Sequence, residues 1–294
     1  MARLEGVAGE RDDKTTLLIR RIIAYVVLII LVIISLFPFY LLIVNATRGK
    51  VQTGVEFVPS GNLASNFKVL MSSDTENLYG SILGSFGNSF LIGGLSTILS
   101  VYFSALTAYA TYVYDFKLKK VAHTFILLVM MVPTQASAIG LYRLMISMNL
   151  VDTFIPLIVP AVAAPAVYFF MYQYLQSSLP LEIVEAARID GCGEFRGFNT
   201  IVLPILKPAL AVQAIFQFVA SWNNLFMPMM ILNSKKTIPM VLQYMKANIN
   251  GNPQVAHTGM MSLYIVLAIL PVIVVYLLLS KYIIRGISLG AVKG

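Results

Sequence analysis

One polar stretch carries most of the chemistry in this sequence: residues 185–191 read Glu-Ala-Ala-Arg-Ile-Asp-Gly, and residues 201–204 read Ile-Val-Leu-Pro. Long apolar runs flank this stretch on both sides. Between residues 181 and 200 there are four carboxylates and only two arginines. A helix that lies on lipid headgroups favours cations on its polar face. The stretch therefore favours docking to another protein over the alternative, an amphipathic loop resting on the membrane surface.

The common signatures of catalysis are missing from the sequence. It contains no G-x-x-x-x-G-K-[ST] phosphate loop, so the chain is not expected to hydrolyse ATP. Its single cysteine, Cys192, excludes an intramolecular disulfide and a multi-thiolate zinc site. His123 and His257 are isolated, whereas a metal site needs clustered ligands. We expect neither enzymatic activity nor a metal or cofactor site in this chain.

The composition is that of a membrane protein. Hydrophobic residues make up 58% of the 294 residues, charged residues only 12%, and the mean hydropathy is +0.81. Soluble domains have about 45–50% apolar and about 25% charged residues. The net charge of +8 could suggest a nucleic-acid partner, but the cations lie beside apolar runs. Membrane topology explains the charge better, and no nucleic acid is expected.

Six apolar runs predict six transmembrane helices in an all-α membrane protein. They cover residues 22–44, 89–113, 121–147, 154–175, 208–232 and 259–279, which together place a transmembrane domain over 22–294. At about 1.5 Å per residue, runs of this length can cross a hydrocarbon core of about 30 Å. The other segments are predicted as a tail (1–21), three loops (45–86, 176–207 and 233–258) and a second tail (280–294).

Lysine and arginine are distributed unequally between the two sides of this arrangement. Fourteen lie on the side that holds both termini and residues 176–207, and seven lie on the other side. Cytoplasmic loops carry an excess of these residues. Both termini and the loop at 176–207, which we call the polar loop, are therefore predicted to be cytoplasmic. The loops at 45–86 and 233–258 are predicted to be external.

Proline and glycine divide the polar loop into short elements. Pro180 is acceptable in a first helical turn, and Gly191 can take the left-handed conformation that ends a helix, so a helix of about three turns is predicted between them. A second short helix is predicted over 194–200. Ile201 and Leu203 are expected to anchor the loop in the helical bundle, and Pro204 to separate it from the fifth span.

Four polar residues in the fifth span, Gln213, Gln217, Ser221 and Asn224, are spaced four, four and three apart. This spacing places them on one helix face. Polar groups in lipid are costly unless they face a bundle interior or a water-filled cavity. The face should therefore line a pathway or meet another membrane chain. Hydrogen bonding between helices of this chain is the alternative.

The spacing of Glu-Ala-Ala, three residues, Gly, nine residues and Ile-x-Leu-Pro resembles the signature of the membrane subunits of bacterial ATP-binding-cassette importers. The chain looks like the carbohydrate-uptake branch of these permeases and is similar to the smaller membrane subunit of the maltose importer. Other segments that carry the resemblance are Met131-Val132-Pro133, Leu141-Tyr142, Asn149-Leu150-Val151-Asp152-Thr153, Ser221-Trp222-Asn223-Asn224, Pro228 and Gly290-Ala291-Val292-Lys293-Gly294.

The resemblance implies a type I importer permease in the plasma membrane of a bacterium. In this family, loop helices insert into a cleft of a separate ATPase, which binds ATP and Mg²⁺. The residues implied in that coupling contact are Glu185, Ala186, Ala187, Arg188, Asp190, Gly191, Ile201, Leu203 and Pro204. The loop before the last helix contacts the binding protein in the family, which implies a role for Asn248, Asn250, Gly251, Asn252 and Gln254.

The partners implied are a second, homologous permease in a heterodimer, two ATPase subunits, an extracellular solute-binding protein and a sugar. The expected function is half of an alternating-access pathway for a sugar or oligosaccharide, which the sequence does not identify further. An ion-coupled secondary carrier is the alternative. Such carriers usually place charged residues inside their spans, and no charge lies well inside any of the six runs.

Overall fold

The computed structural model describes residues 2–49, 57–251 and 257–291. All regular structure in these ranges is helical. The helices are α1 (Ala2–Ala46), α2 (Leu63–Leu70), α3 (Ser73–Tyr79), α4 (Ile82–Val113), α5 (Lys119–Val129), α6 (Thr134–Ser147), α7 (Ile155–Ile158), α8 (Pro165–Ser178), α9 (Leu181–Ile189), α10 (Glu194–Gly197), α11 (Leu203–Trp222), α12 (Phe226–Ile231), α13 (Ile238–Gly251) and α14 (Thr258–Ala291). A 3₁₀ turn (Val159–Val162) precedes α8, and a π turn (Phe198–Val202) links α10 to α11.

Five helical stretches among the described residues are long and apolar enough to cross a membrane. They are Thr16–Ala46, Ile82–Val113, Ile155–Ser178, Glu194–Trp222 and Thr258–Ile283. The all-α membrane fold is therefore confirmed. The single helix predicted over 121–147 is two helices, α5 and α6, which are separated at residues 130–133. Pro133 precedes α6 in an extended conformation, because its ring cannot continue the hydrogen-bonded pattern of α5.

Several predicted element boundaries differ from those observed. The predicted tails are largely helical, since α1 begins at Ala2 and α14 continues to Ala291. The predicted loop at 45–86 contains α2 and α3, and the loop at 233–258 contains α13. The predicted fifth span of 208–232 begins earlier, at Leu203, and ends earlier, at Trp222. Its remainder forms the separate short helix α12.

The chain divides into two compact units, of which the larger comprises residues 69–251 and 267–294. In this unit α4 packs against α8 and α11. Small buried residues line α4 along its length: Ser85, Ser89, Ser96, Ser100, Ser104, Ala105 and Ala108. Small side chains let membrane helices approach closely, and a Cβ on Gly93 would lie 3.3 Å from the Phe218 ring of α11. α4 is therefore packed closely against its neighbours in the larger unit.

An aspartate joins two connections at one end of the larger unit. Asp152, between α6 and α7, accepts hydrogen bonds from the backbone N–H groups of Asn233 (2.9 Å) and Ser234 (3.0 Å) and from the Ser234 hydroxyl. Its own N–H donates to the Ile231 carbonyl at 2.9 Å. The Ser234 hydroxyl and the two N–H groups lower the pKa of the Asp152 carboxyl from 3.8 to about 2. The ionised carboxylate thus holds the turn between α12 and α13.

We predict that Asp152→Asn lowers the Tm of the detergent-solubilised protein at neutral pH. Because the folded pKa is depressed, the stabilisation from the carboxylate is present above its ordinary pKa of 3.8 and is lost as pH falls towards about 2. The Tm difference between wild type and variant should therefore be constant above about pH 5 and narrow between about pH 4 and 2. Asp74→Asn, in the first turn of α3, is the control. A difference that does not change with pH would contradict this role.

The smaller unit comprises residues 1–68 and 252–266, and two parts of its backbone approach closely at Gly259. Asn66 donates from Nδ2 to the carbonyl oxygens of Ala46 (2.8 Å), the last residue of α1, and of Arg48 (2.6 Å). A Cβ at Gly259, in the first turn of α14, would lie 2.2 Å from the Arg48 carbonyl oxygen and 2.6 Å from Asn66 Nδ2. Only glycine fits between these groups.

Gly259→Ala is therefore expected to destabilise the protein by about 1–3 kcal/mol, the usual cost of overpacking a well-packed site. The clash involves a backbone carbonyl, which cannot rotate away as a side chain can. Thermal unfolding in detergent should show a lower Tm. Gly140→Ala is the matched control, since Gly140 also lies in a helix and a Cβ there meets no atom within 4 Å. Equal Tm values for the two variants would contradict the close approach.

Candidate functional site

The polar loop contains the predicted first helix, α9. Pro180 precedes it with φ −64° and ψ 133°, Glu182 lies in its first turn and Arg188 in its last. These charges suit the helix dipole. Gly191 has φ +77°, as predicted, and its N–H donates to the Arg188 carbonyl at 3.0 Å. The Cys192 N–H donates to the Ala187 carbonyl at 2.9 Å, which completes a Schellman motif and ends the helix.

The two faces of α9 have different environments. Val184 is buried in the core formed mainly by α4, α8 and α11, and Ala187 is half-buried. Leu181, which lies one turn before Val184, is 39% exposed. The opposite stripe consists of Glu182, Glu185, Ala186 and Ile189, which follow one another at i, i+3, i+4 and i+7 and are all exposed. We call these four residues the outward stripe of α9.

Ile189 and Phe195, which no sequence pattern marks as functional, are the most exposed large apolar side chains of the loop. Ile189 is 86% exposed and Phe195 is 68% exposed. A large apolar side chain surrounded by carboxylates on an exposed helix is a common feature of a protein-binding surface. The sequence indicates the exposure of Ile189 only weakly, because isoleucine at this position also fits a buried helix face.

A hydrogen-bond network centred on Glu194 ties α9 to α10 and to the end of α4. Arg188 donates from Nε to Glu194 Oε1 at 2.7 Å and from Nη2 to Oε2 at 3.3 Å. The hydroxyls of Tyr114 (2.6 Å) and Tyr109 (3.4 Å) both donate to Oε2. The Arg188 guanidinium carbon also lies 5.3 Å from the centroid of the Tyr114 ring. We call these four side chains the Glu194 network.

Proton equilibria keep the Glu194 network in one charge state around neutral pH. The hydrogen bond to Glu194 raises the pKa of Arg188 above its usual value. Burial, followed by the hydrogen bond to Glu194, raises the pKa of the Tyr114 phenol. Tyr114 therefore stays a neutral donor and Arg188 a cation. The site can hold helices in register, and its groups provide no acid or base suited to catalysis at neutral pH.

The second predicted short helix, over 194–200, is observed as α10 followed by the π turn. Phe198 and Val202 in this turn are fully buried, and the Phe198 ring lies 5.3 Å from that of Tyr109. The Tyr102 hydroxyl donates to Asn199 Oδ1 at 3.1 Å. These contacts fix the start of α11 against α4.

The predicted anchoring residues are confirmed in part. Leu203 is half-buried and packs against the core, and Ile201 is half-buried, whereas the neighbouring Val202 is fully buried. Pro204 does not separate the loop from the fifth span, because it lies directly after the π turn within one helical path. Together α10, the π turn and α11 form an uninterrupted helical path from Glu194 to Trp222.

The four polar residues predicted to share a face of the fifth span have separate environments. Gln213 is buried beside a cavity of about 330 Å³ between α8, α11 and α14. Gln217 is half-buried. Ser221 receives a hydrogen bond from Ser96 of α4 at 3.2 Å, which is the predicted alternative of contact between helices. Asn224 lies beyond the end of α11 and caps α12 through the Met227 N–H, so it does not share the face.

The predicted binding-protein contacts are only partly described. Asn248, in α13, donates from Nδ2 to the Tyr79 hydroxyl at 2.7 Å. Asn250 and Gly251 lie in the last turn of α13. Asn252 and Gln254 lie outside the described residues.

The sequence pattern of a protein family described as the binding-protein-dependent transport system inner membrane component matches residues 100–289. The chain belongs to this family. The match covers α11, the two helices of the polar loop, the C-terminal part of α4 and most of α14. The protein is thus an inner membrane permease component. The resemblance of the sequence to the permeases of these importers is confirmed.

Relatives of the permease cover nearly its full length. It is 34% identical over 268 residues to the arabinooligosaccharides transport system permease protein AraQ of Bacillus subtilis, with 89% of this chain and 92% of AraQ covered. It is 32% identical to the melibiose/raffinose/stachyose import permease protein MelC of B. subtilis, with 87% and 91% covered. The maltodextrin transport system permease protein MdxG of B. subtilis is 31% identical, with 96% and 100% covered.

The fold of the permease is also that of a solved transporter chain. It matches a chain from the crystal structure of a bacterial ABC transporter involved in the import of the acidic polysaccharide alginate, with a TM-score of 0.73. The alignment covers 90% of this chain and 96% of that chain at 22% sequence identity. This likeness concerns the fold, which is that of an ABC importer permease.

Proposed function

We propose that the permease forms half of the pathway of an ATP-driven importer and that a separate ATPase docks on the outward stripe of α9. The observation that supports this most directly is the geometry of α9: four exposed residues face away from the chain, while the Glu194 network ties the same helix to α4. A surface that is both accessible and rigidly connected is suited to receiving a mechanical input.

The path of that input follows the contacts of the polar loop. Displacement of α9 acts on α10 through Arg188 and Glu194, and on α4 through the two tyrosines. The π turn would transmit the displacement of α10 to α11, because no loop lies between these helices. Because α4 and α11 pack against each other and against α8, the motion would reach the centre of the bundle. ATP and Mg²⁺ would be bound by the partner ATPase.

The proposed topology has six crossings with both termini in the cytoplasm. The five long helical stretches supply five crossings, and α5 and α6 together supply the remaining one. Five crossings would place the termini on opposite sides, against the distribution of lysine and arginine. The loop that contains α9 and α10 then lies in the cytoplasm, where an ATPase can reach it.

The partners follow from the same proposal. The apolar part of α1, Thr16–Ala46, has a mean hydropathy of 3.1 in its most apolar window, and none of that window is buried in the chain. It is therefore available to lipid and to a second, homologous permease, which would complete the pathway as a heterodimer. An extracellular solute-binding protein would deliver the substrate to the side of α13.

A sugar or oligosaccharide is the proposed substrate class. Three relatives above 30% identity are named for transport of arabinooligosaccharides, of melibiose, raffinose and stachyose, and of maltodextrin. An ion-coupled carrier receives less support, because no Asp, Glu, Lys or Arg is among the buried side chains of the described residues.

The test is reconstitution of the permease with its ATPase, second permease and binding protein in liposomes. Uptake of labelled arabino-oligosaccharide, raffinose and maltodextrin is measured with ATP alone and with an ion gradient alone. ATP-dependent uptake that stops when the phosphate-loop lysine of the ATPase is replaced would support the proposal. Uptake driven by an ion gradient without nucleotide would refute it. Uptake of sn-glycerol-3-phosphate instead, for which a 26% identical relative is named, would contradict the substrate class.

A further inference from the structure

A groove in the larger unit is not used by the proposed coupling mechanism. It has a volume of about 410 Å³ and lies between α4, α11 and the C-terminal part of α14. Its walls are mostly apolar, with Val101 from α4, Ala211 from α11 and Leu279 from α14 among them. The groove opens outward along helices that are apolar enough to span a membrane. Its natural surroundings are therefore lipid or another membrane chain.

The charge and aromatic residues of the groove gather at one end. Lys207 is the only lining residue with a formal charge, and it lies one turn into α11. Lys207 forms no ion pair with any side chain in the part of the chain that the structure describes. Tyr102 and Tyr282 line the same groove. Tyrosine and lysine together are characteristic of the boundary between hydrocarbon and headgroups.

The groove continues from Lys207 along α11 towards the middle of the bilayer. Its lining residues on α11 beyond Lys207 reach Ala214, which is about 10 Å away at a rise of about 1.5 Å per residue. Half of a hydrocarbon core is about 15 Å. An acyl chain whose headgroup lies beside Lys207 would therefore pass Ala214 and Thr97 within the same leaflet.

We propose that this groove binds one acyl chain of an anionic phospholipid, with the lipid phosphate beside Lys207. The apolar walls accommodate the chain, and the unpaired lysine supplies the complementary charge. The lipid would come from the cytoplasmic leaflet, which makes this inference dependent on the proposed topology. A bound lipid there would fill the space between α11 and α14 and stabilise their packing.

The experiment measures bound lipid by native mass spectrometry on the assembled importer in detergent. Phosphatidylglycerol and phosphatidylcholine with the same acyl chains are added separately at equal concentration. Wild type should retain phosphatidylglycerol about fivefold better, the factor that corresponds to about 1 kcal/mol per cation near an anionic headgroup. Lys207→Gln should remove this preference, and Ala211→Phe, which fills the groove, should reduce retention of both lipids.

Lys246→Gln is the matched control, because it removes one exposed lysine from α13, away from the groove lining. Its lipid retention should equal that of wild type. Equal retention of the two lipids by wild type would overturn the proposal, as would unchanged phosphatidylglycerol binding by Lys207→Gln. A crosslink from a photoreactive residue at position 210 to the second permease, in place of lipid, would also overturn it. These readouts are independent of transport, so a failure of ATP-driven uptake would be recognised separately.

Discussion

Gly191→Pro is expected to reduce ATP-driven uptake at least about tenfold while the permease remains inserted in the membrane, because a backbone rearrangement that costs more than about 1.4 kcal/mol has this effect. Gly191 has φ +77°, whereas the proline ring fixes φ near −65°. Proline would also remove the N–H that donates to the Arg188 carbonyl. The end of α9 would be rebuilt, and the outward stripe would no longer be presented in one orientation.

Two measurements separate this effect from general misfolding. Membrane-inserted permease is quantified together with the amount of ATPase that copurifies with it, and uptake is then normalised to the inserted protein. Gly193→Pro is the matched control, since Gly193 lies two residues away with φ −66°, which proline adopts without strain. Normal ATPase retention and normal uptake in Gly191→Pro would refute the role of α9 as the docking helix.

Glu194→Gln is expected to separate ATP hydrolysis from transport, which is a different defect. The substitution leaves the outward stripe of α9 intact, so the ATPase should still bind. It weakens the ion pair with Arg188 and the hydrogen bonds from Tyr109 and Tyr114, so motion of α9 is transmitted less completely to α4. We expect about fivefold less sugar transported per ATP hydrolysed, at the upper end of what a partly exposed but multiply bonded ion pair contributes.

Arg196→Gln is the control for Glu194→Gln, because Arg196 is also exposed on α10 and takes no part in the Glu194 network. Tyr114→Phe removes a single hydroxyl from the network and should have a smaller effect in the same direction. The quantity to measure is the ratio of sugar uptake to phosphate release in liposomes. A fall in ATPase retention with an unchanged ratio would show that Glu194 serves docking and not transmission.

The sequence was sufficient to predict the parts of the site that depend on local backbone chemistry. Gly191 ends α9 as its position predicts, because few other residues adopt a positive φ without strain. The polar interruption between apolar runs, with its excess of carboxylates, also distinguishes the loop from its surroundings. The all-helical membrane fold follows from the length and hydropathy of those runs.

Contacts between distant parts of the chain were not predictable in the same way. Tyr109 and Tyr114 both donate to Glu194, which lies 80 or more residues further along the chain, and the sequence does not indicate this contact. Pro204 was expected to separate the loop from the fifth span and instead lies within the helical path from α10 to α11. Asn224 fits the spacing of a polar face, but α11 ends before it. Helical spacing relates two residues only while both lie in the same helix, and the sequence does not show that α11 ends at Trp222.

The continuous helical path from α10 to α11 makes the register of the polar loop unusually sensitive to chain length. In an α-helix each added residue turns everything beyond it by about 100°, whereas a loop absorbs an insertion without rotation. A single residue inserted or deleted between Phe198 and Val202 would therefore turn α10, and with it Glu194, to a different side of the bundle. The amino-acid types in this turn have some freedom, but its number of residues has almost none.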